Sequence, residues 1–184
     1  GRMEPKDGGM FPVQRPGLEK SCYLQHRIMK TVAEQNVVPV PAILSYEENL
    51  EPLNRSFFAM SFIEGEVPSD NPRYTVEGFL VDSSTPEERR RLIESGLKAM
   101  AGIHSIDWQE SGLEWLDSSG SGNPTTQSQI NIWREYSLLE LKGREHPVLE
   151  EAFNWLEVND PQDSRVGLSW GDSRIGNIIW KNCS

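Results

Sequence analysis

The chain has 184 residues, of which 36% are hydrophobic, so it is long and apolar enough to bury a core. Its 18 basic and 28 acidic residues give a net charge of -10, which argues against nucleic-acid and anionic-membrane partners. Cys22 and Cys183 lie in no metal-ligand spacing, so we expect no zinc site, no disulfide framework and a cytoplasmic location. The apolar runs are too short to span a bilayer, and we expect a soluble protein.

The first predicted elements are a loop and a helix. Prolines and glycines crowd residues 3–17, which predicts a loop. From Leu18 onwards the apolar residues follow a helical spacing, and Asn36 is expected to end that helix. Gln25 is a polar residue on its otherwise apolar face.

Two strands are predicted next. Residues 37–46 indicate a strand that Pro39 and Pro41, which lack amide donors, confine to a sheet edge or to irregular pairing. Residues 57–63 are apolar at every second position on both faces, which is typical of a strand buried on two sides. The acidic loop at 47–55 is expected to join the two strands.

A change of composition follows the second strand. Residues 65–84 are rich in proline, serine and aspartate, so we predict a lobe boundary near Glu64. Thr85 and Glu88 form a capping box with a proline at the first helical position, and the helix that they open is expected to reach Ser105.

The C-terminal part predicts two more helices and a strand-loop-strand. The helices are expected at residues 126–142 and 147–160. Short strands are expected at 166–170 and 178–180, on either side of a polar loop at 171–177. Because strands and helices are segregated along the chain, the pattern favours an α+β fold.

The polar loop carries residues that suit phosphoryl transfer. Asp172 and Asn177 lie five positions apart between two apolar segments. A carboxylate can accept the proton of an attacking hydroxyl, and an amide oxygen can bind Mg²⁺ beside nucleotide phosphates. The same residues with flanking glycines are also common in hairpin turns, and spacing alone leaves that alternative open.

The loop resembles the catalytic loop of a known family. The segment from Leu168 to Trp180, LSWGDSRIGNIIW, is similar to the His-Gly-Asp, four residues, Asn motif of the aminoglycoside phosphotransferase family. Trp170 replaces the histidine, as in the branch related to the kinase-like domain fused to some acyl-CoA dehydrogenases. The resemblance extends over nearly the whole chain.

The resemblance implies a protein-kinase-like, two-lobed α+β fold that binds ATP or GTP and Mg²⁺. Residues 1–63 would form a partial nucleotide-binding lobe and residues 64–184 a partial helical lobe. Asp172 would be the base and Asn177 a metal ligand, with a small-molecule hydroxyl as the acceptor. The backbone of the hinge, the three residues Ser61, Phe62 and Ile63, would contact adenine. Arg174 would contact phosphate or substrate, or else be an ordinary surface arginine.

Three further residues match family positions. Gln25 lies where the family has a glutamate that pairs with a basic phosphate-binding residue, and Arg2 matches that basic partner. Arg2 is equally well explained as an unpaired charge near the end of the chain. His104 matches a histidine at a helix end, for which we expect a structural role.

The resemblance also predicts a truncated chain. The family's second metal-binding aspartate would follow Ser184, and the loop that covers the phosphates would precede Gly1. We therefore expect the isolated chain to be weakly active or inactive. A kinase-like module that binds nucleotide or a partner without turnover, and a gene fragment with no stable fold, remain alternatives.

Overall fold

The computed structural model describes residues 1–4, 21–48, 51, 53–117, 119–120, 122–160 and 165–182. Most of the predicted loop at 3–17, the predicted helix start at Leu18 and the thiol of Cys183 lie outside the described residues. In chain order the strands and helices are β1 Arg2–Met3, α1 Ser21–Gln35, β2 Ile43–Glu47, β3 Phe57–Met60, α2 Phe79–Asp82, α3 Pro86–His104, α4 Thr126–Leu141 and α5 Pro147–Val158. Short 3-10 turns lie at Glu114–Leu116 and Ile175–Asn177. None of the helices in the described ranges is long and apolar enough to cross a membrane.

Two compact units make up the structure. The first contains Gly1–Thr31, Ile43–Ala59 and Trp108–Val166, and the second contains Val32–Ala42, Met60–Asp107 and Gly167–Ser184. The lobe boundary that the sequence predicts near Glu64 stays a prediction.

The strands form a small sheet in the order β1, β3, β2. β1 pairs with β3 in antiparallel register, with Arg2 opposite Phe58. The strand predicted at 37–46 is wrong in its first half, because β2 begins only at Ile43. Two prolines precede that point, and a proline cannot donate an amide proton to a neighbouring strand.

The strand predicted at 57–63 is also too long. β3 ends at Met60, and Phe62 is 91% exposed, so the expected burial on both faces does not extend past the strand. The hydroxyl of Ser61 accepts the amide proton of Ala42 at 2.9 Å, so a side chain takes the place of a backbone acceptor where the strand ends. Within β3 only Phe58 is fully buried.

The first unit is held by aromatic and ionic contacts. Its buried side chains include Cys22 on α1 and Phe58 on β3. α4 and α5 pack together, and Arg134 on α4 binds Glu150 at 2.7 Å and Glu157 at 2.9 Å on α5. The predicted helices at 126–142 and 147–160 are confirmed to within two residues at each end.

The second unit is built on α3. The capping box predicted at Thr85 is present, since its side chain accepts from the amide of Glu88 at 3.2 Å while Glu88 accepts from the amide of Thr85 at 2.7 Å. Leu92 of α3 packs with Leu80 of α2 and with Trp180 in a buried cluster. The short helix α2 was not predicted.

The strands predicted at 166–170 and 178–180 are wrong as regular strands. Residues 165–170 and 178–179 form no strand, and Trp180 makes an isolated antiparallel bridge with Glu66. The two backbone hydrogen bonds of that bridge are both 2.8 Å long. A pair of strands needs several consecutive bridges, and among the described residues here only Glu66 and Trp180 are paired.

Candidate functional site

The polar loop turns sharply at Gly171. This residue has φ +75°, a left-handed conformation that glycine adopts without steric cost. The amide of Ser173 then donates to the carbonyl of Gly171 at 3.0 Å, and the chain enters the 3-10 turn Ile175–Asn177. The turn leaves the side chain of Asp172 64% exposed, so its carboxylate is accessible to a ligand.

The structure brings Asp172 and Asn177 together. The side-chain amide nitrogen Nδ2 of Asn177 donates to the backbone carbonyl of Asp172 at 2.9 Å. This bond uses the amide nitrogen and leaves the amide oxygen of Asn177 as an acceptor or metal ligand. The bond also closes the loop, because it joins a residue near the start of the loop to its last residue.

Arg174 lies between two carboxylates. Its Nε donates to Oδ2 of Asp172 at 3.2 Å, and its Nη1 donates to Oδ2 of Asp70. The hydrogen bond and charge of Asp70, with the charge of Asp172, raise the pKa of Arg174. Sequence analysis did not single out Asp70, because it lies 104 residues before Arg174 in a segment with no regular pattern.

Two contacts fix the ends of the loop. At its start, the amide of Trp170 donates to Nε2 of His104 at 3.2 Å. At its end, the indole Nε1 of Trp180 donates to the carbonyl of Ile175 at 3.0 Å, and the ring is 3% exposed in the core of the second unit. The contact of His104 with the loop backbone agrees with the structural role expected for it.

The residues predicted to form the hinge belong to the same unit as the loop. The amide of Ser61 donates to the carbonyl of Ala42 at 2.8 Å, Phe62 is almost fully exposed, and Ile63 is 39% exposed. The chain then runs into Glu64, which pairs with Lys181 at 3.1 Å, just after the loop. The side chains of Glu64, just after the predicted hinge, and Lys181, just after the loop, are therefore in contact.

Arg2 and Gln25 lie in the first unit and contact each other. Nη1 of Arg2 donates to Oε1 of Gln25 at 3.1 Å. This is the pair of positions that the resemblance matches, with a neutral amide as the partner of the arginine. The bond orients Arg2 but leaves its positive charge uncompensated by Gln25.

The described residues around the loop offer few protein ligands for a metal. Among the described residues there is no group of three or more His, Cys, Asp or Glu side chains that could hold a metal. Mg²⁺ is commonly bound by one or two protein oxygens, with substrate phosphates and water completing the shell. The amide oxygen of Asn177 is an oxygen of that kind, because the bond to Asp172 uses only the amide nitrogen.

The overall fold matches that of a solved structure. A crystal structure of a candidate aminoglycoside phosphotransferase from Ralstonia eutropha JMP134 superposes with a TM-score of 0.63 over 87% of this chain and 45% of that chain, at 24% sequence identity. The fold is therefore the α+β, kinase-like fold that the sequence predicts.

The family assignment follows from the sequence match. The family model for the phosphotransferase enzyme family, APH, covers residues 11–184. The chain belongs to this family.

Curated relatives carry the same kind of segment within longer proteins. The chain is 28% identical to "Probable acyl-CoA dehydrogenase IBR3" of Arabidopsis thaliana, over 85% of this chain and 18% of the relative. It is 27% identical to acyl-CoA dehydrogenase family member 10 of Mus musculus, over 85% of this chain and 13% of the relative. It is 26% identical to family member 11 of Rattus norvegicus, over 79% of this chain and 18% of the relative. The chain thus spans less than a fifth of these relatives, which agree with the predicted branch of the family.

Proposed function

We propose that the protein is a phosphotransferase that moves the γ-phosphoryl group of ATP or GTP to a hydroxyl group of a small molecule. In this proposal Asp172 is the base and Asn177 is a Mg²⁺ ligand. The observation that carries it is the hydrogen bond from Asn177 to the backbone of Asp172, which holds both residues on one exposed loop. Membership of the phosphotransferase family supports it.

Asp172 has the exposure and chemistry that a base requires. It is more than half exposed, so an acceptor hydroxyl can approach the carboxylate. A carboxylate within hydrogen-bond reach orients the hydroxyl and takes its proton as the bond to phosphorus forms. Since phosphoryl transfer needs little covalent help from a protein, this positioning is the main contribution expected from Asp172.

The other residues would bind the nucleotide. Backbone groups of Ser61, Phe62 and Ile63 would contact the adenine ring. Arg2 would contact phosphates, and Arg174 would contact phosphate or substrate. Mg²⁺ bound with the help of Asn177 would neutralise the negative charge of the phosphates. We further propose that the protein works in the cytoplasm, without nucleic-acid or membrane partners.

A charge-matched pair of variants tests this function. In the full-length protein, Asp172→Asn should abolish phosphoryl transfer from γ-labelled ATP or GTP to a panel of aminoglycosides and hydroxylated acyl compounds. Its affinity for a fluorescent ATP analogue should stay within about twofold of the wild type, because the base does not hold the nucleotide. Glu94→Gln removes the same charge from an exposed pair with Arg90 on α3 and should retain full activity. Equal transfer by wild type and Asp172→Asn would refute the assignment of the base.

A kinase-like binding module is the second candidate. The pairing of Arg2 with a neutral Gln25 supports it, because the resemblance expects a charged partner at that position. Such a module would bind the ATP analogue in a Mg²⁺-dependent way, and Asn177→Ala would weaken that binding. Saturable binding by the full-length protein without transfer to any acceptor would favour this candidate over an enzyme.

A further inference from the structure

The side chain of Arg174 reaches two carboxylates but only one oxygen of Asp172. Its Nε contacts Oδ2 of Asp172, and its Nη1 contacts Oδ2 of Asp70. In the described part of the chain, no hydrogen bond is made to the other carboxylate oxygen of Asp172, Oδ1. The two ion pairs are both about half exposed, so solvent and ligands can reach them.

Asp70 is held beside the loop by its own segment. The buried Pro68 lies against Gly176, since a Cβ on that glycine would be 3.2 Å from the carbonyl of Pro68 and 3.6 Å from Oδ1 of Asp70. The amide of Asn71 donates to the hydroxyl of Ser69 at 3.1 Å, which closes a turn around Asp70. The carboxylate of Asp70 therefore has a defined position relative to the loop.

Without Asp70, the side chain of Arg174 could form a stronger ion pair with Asp172. Guanidinium groups pair with carboxylates preferentially through two parallel hydrogen bonds, which use both carboxylate oxygens. Arg174 is two residues from Asp172 and already contacts one of its oxygens. Nε would share such a pairing with Nη2, and within the described residues Nη2 makes no hydrogen bond to Asp172. The bond from Nη1 to Asp70 holds the guanidinium group in this one-point orientation.

We propose that Asp70 is a positioning residue for phosphoryl transfer, which holds Arg174 away from Oδ1 of Asp172 and keeps that oxygen free for the acceptor hydroxyl. The inference rests on the proposed function, because it needs Asp172 to act as the base. A carboxylate whose two oxygens both accept from an arginine is less basic and less accessible to the acceptor hydroxyl, so the loss of Asp70 affects turnover more than nucleotide binding.

Three variants of the full-length protein test the positioning role. Asp70→Ala should lower kcat about tenfold or more, a part of the 10²–10⁴-fold that a positioned base contributes. Asp70→Asn keeps an oxygen that can accept from Nη1, so its kcat should lie between those of Asp70→Ala and the wild type. Glu94→Gln, which removes one exposed charge from the same unit, should keep the wild-type kcat. The dissociation constant of a fluorescent ATP analogue should change by no more than about twofold in the two Asp70 variants.

A double-mutant cycle separates positioning from a general structural effect. In an Arg174→Ala background no guanidinium can cover Asp172, so adding Asp70→Ala should change kcat by no more than about twofold. The unfolding midpoint of each variant shows whether it is folded. If Asp70→Ala does not fold, Asp70→Asn replaces it in the same cycle.

The outcomes distinguish this inference from the proposed function. Loss of kcat in Asp70→Ala that disappears in the Arg174→Ala background supports the positioning role. An unchanged kcat in Asp70→Ala, or the same loss of kcat in both backgrounds, overturns the positioning role. If Asp172→Asn is inactive in the same assays, the proposed function still stands. Equal transfer by wild type and Asp172→Asn overturns the proposed function, and the positioning role with it.

Discussion

The backbone amide of Trp170 donates a hydrogen bond to Nε2 of His104, 66 residues earlier in the chain, at 3.2 Å. His104 is the last residue of α3, and Trp170 directly precedes the glycine at which the candidate loop turns. For Nε2 to accept this hydrogen bond, the ring proton of the imidazole must be on Nδ1. A long, capped helix therefore fixes the point at which the loop carrying Asp172 begins.

Replacing His104 should loosen the start of the loop that carries Asp172. In His104→Ala the amide of Trp170 loses its acceptor, and its hydrogen exchange should become faster, because exchange reports local opening. His104→Gln offers an amide oxygen at a similar reach and should restore part of the protection. Exchange of the Trp170 amide, followed by NMR, measures both effects.

His146 provides the control for this prediction. Its Nδ1 accepts from the amide of Leu149 at 3.2 Å, so His146→Ala also removes a histidine acceptor, but at the start of α5 in the first unit. Exchange at Trp170 should not change in that variant. Wild-type protection of Trp170 in His104→Ala would mean that the hydrogen bond does not hold the loop.

The helices and the loop motif were predictable because their signals are local. The capping box of Thr85 with Glu88 and the apolar spacing of α3 involve residues within a few turns of one another. The same holds for Asp172 and Asn177, whose contact spans five residues. Family resemblance then supplied the fold, which the solved relative confirms.

The surroundings of the loop were not predictable, because they depend on distant parts of the chain. Nothing in the pattern around Asp70 indicates that it lies beside Arg174, and the pairing of Glu66 with Trp180 is a single bridge rather than a ladder. Alternating apolar residues also failed to indicate where β3 ends, since Phe62 continues the pattern yet is exposed. An alternating pattern shows which side chains would point to the same side of a strand. Tertiary contacts decide whether the strand forms there and whether that side is buried.

Gly65 should not tolerate a side chain. A Cβ at this position would lie 2.6 Å from both Cγ2 of Ile179 and the carbonyl oxygen of Trp180, which is closer than real contacts allow. Gly65→Ala should therefore push apart the Glu66 to Trp180 bridge and lower the free energy of unfolding by about 1–3 kcal/mol. Urea unfolding monitored by circular dichroism measures the change.

Gly167 offers a matched control in the same unit. In the described structure its Cβ would meet only the carbonyl oxygen of His104 within 4 Å, at 3.9 Å, which is an ordinary contact. Gly167→Ala should leave the free energy of unfolding unchanged or raise it by up to about 1 kcal/mol, since alanine restricts the unfolded chain. Equal free energies of unfolding for the two alanine variants would show that the Glu66 to Trp180 bridge accommodates the added methyl group without loss of stability.

His26 should make the stability of the first unit depend on pH. Its ring packs against Tyr46 and Phe58, with centroid distances of 5.1 and 5.9 Å. Burial, with a smaller contribution from the charge of Lys30, lowers the pKa of His26 below its ordinary value of 6.5. As the pH falls below 6.5, His26 takes up a proton more readily in the unfolded chain than in the folded one. The free energy of unfolding therefore falls as the pH drops, and it levels off below the pKa of His26 in the folded state.

His26→Gln removes the titrating group and should flatten this part of the curve. Its free energy of unfolding, measured in urea at intervals from about pH 7.5 to 5, should fall less steeply than that of the wild type. Lys30→Ala should reduce the slope only partly, because burial is the larger cause of the lowered pKa. Parallel curves for wild type and His26→Gln would show that His26 titrates alike in the folded and unfolded chain, and that its packing against the two rings does not exclude the charged form.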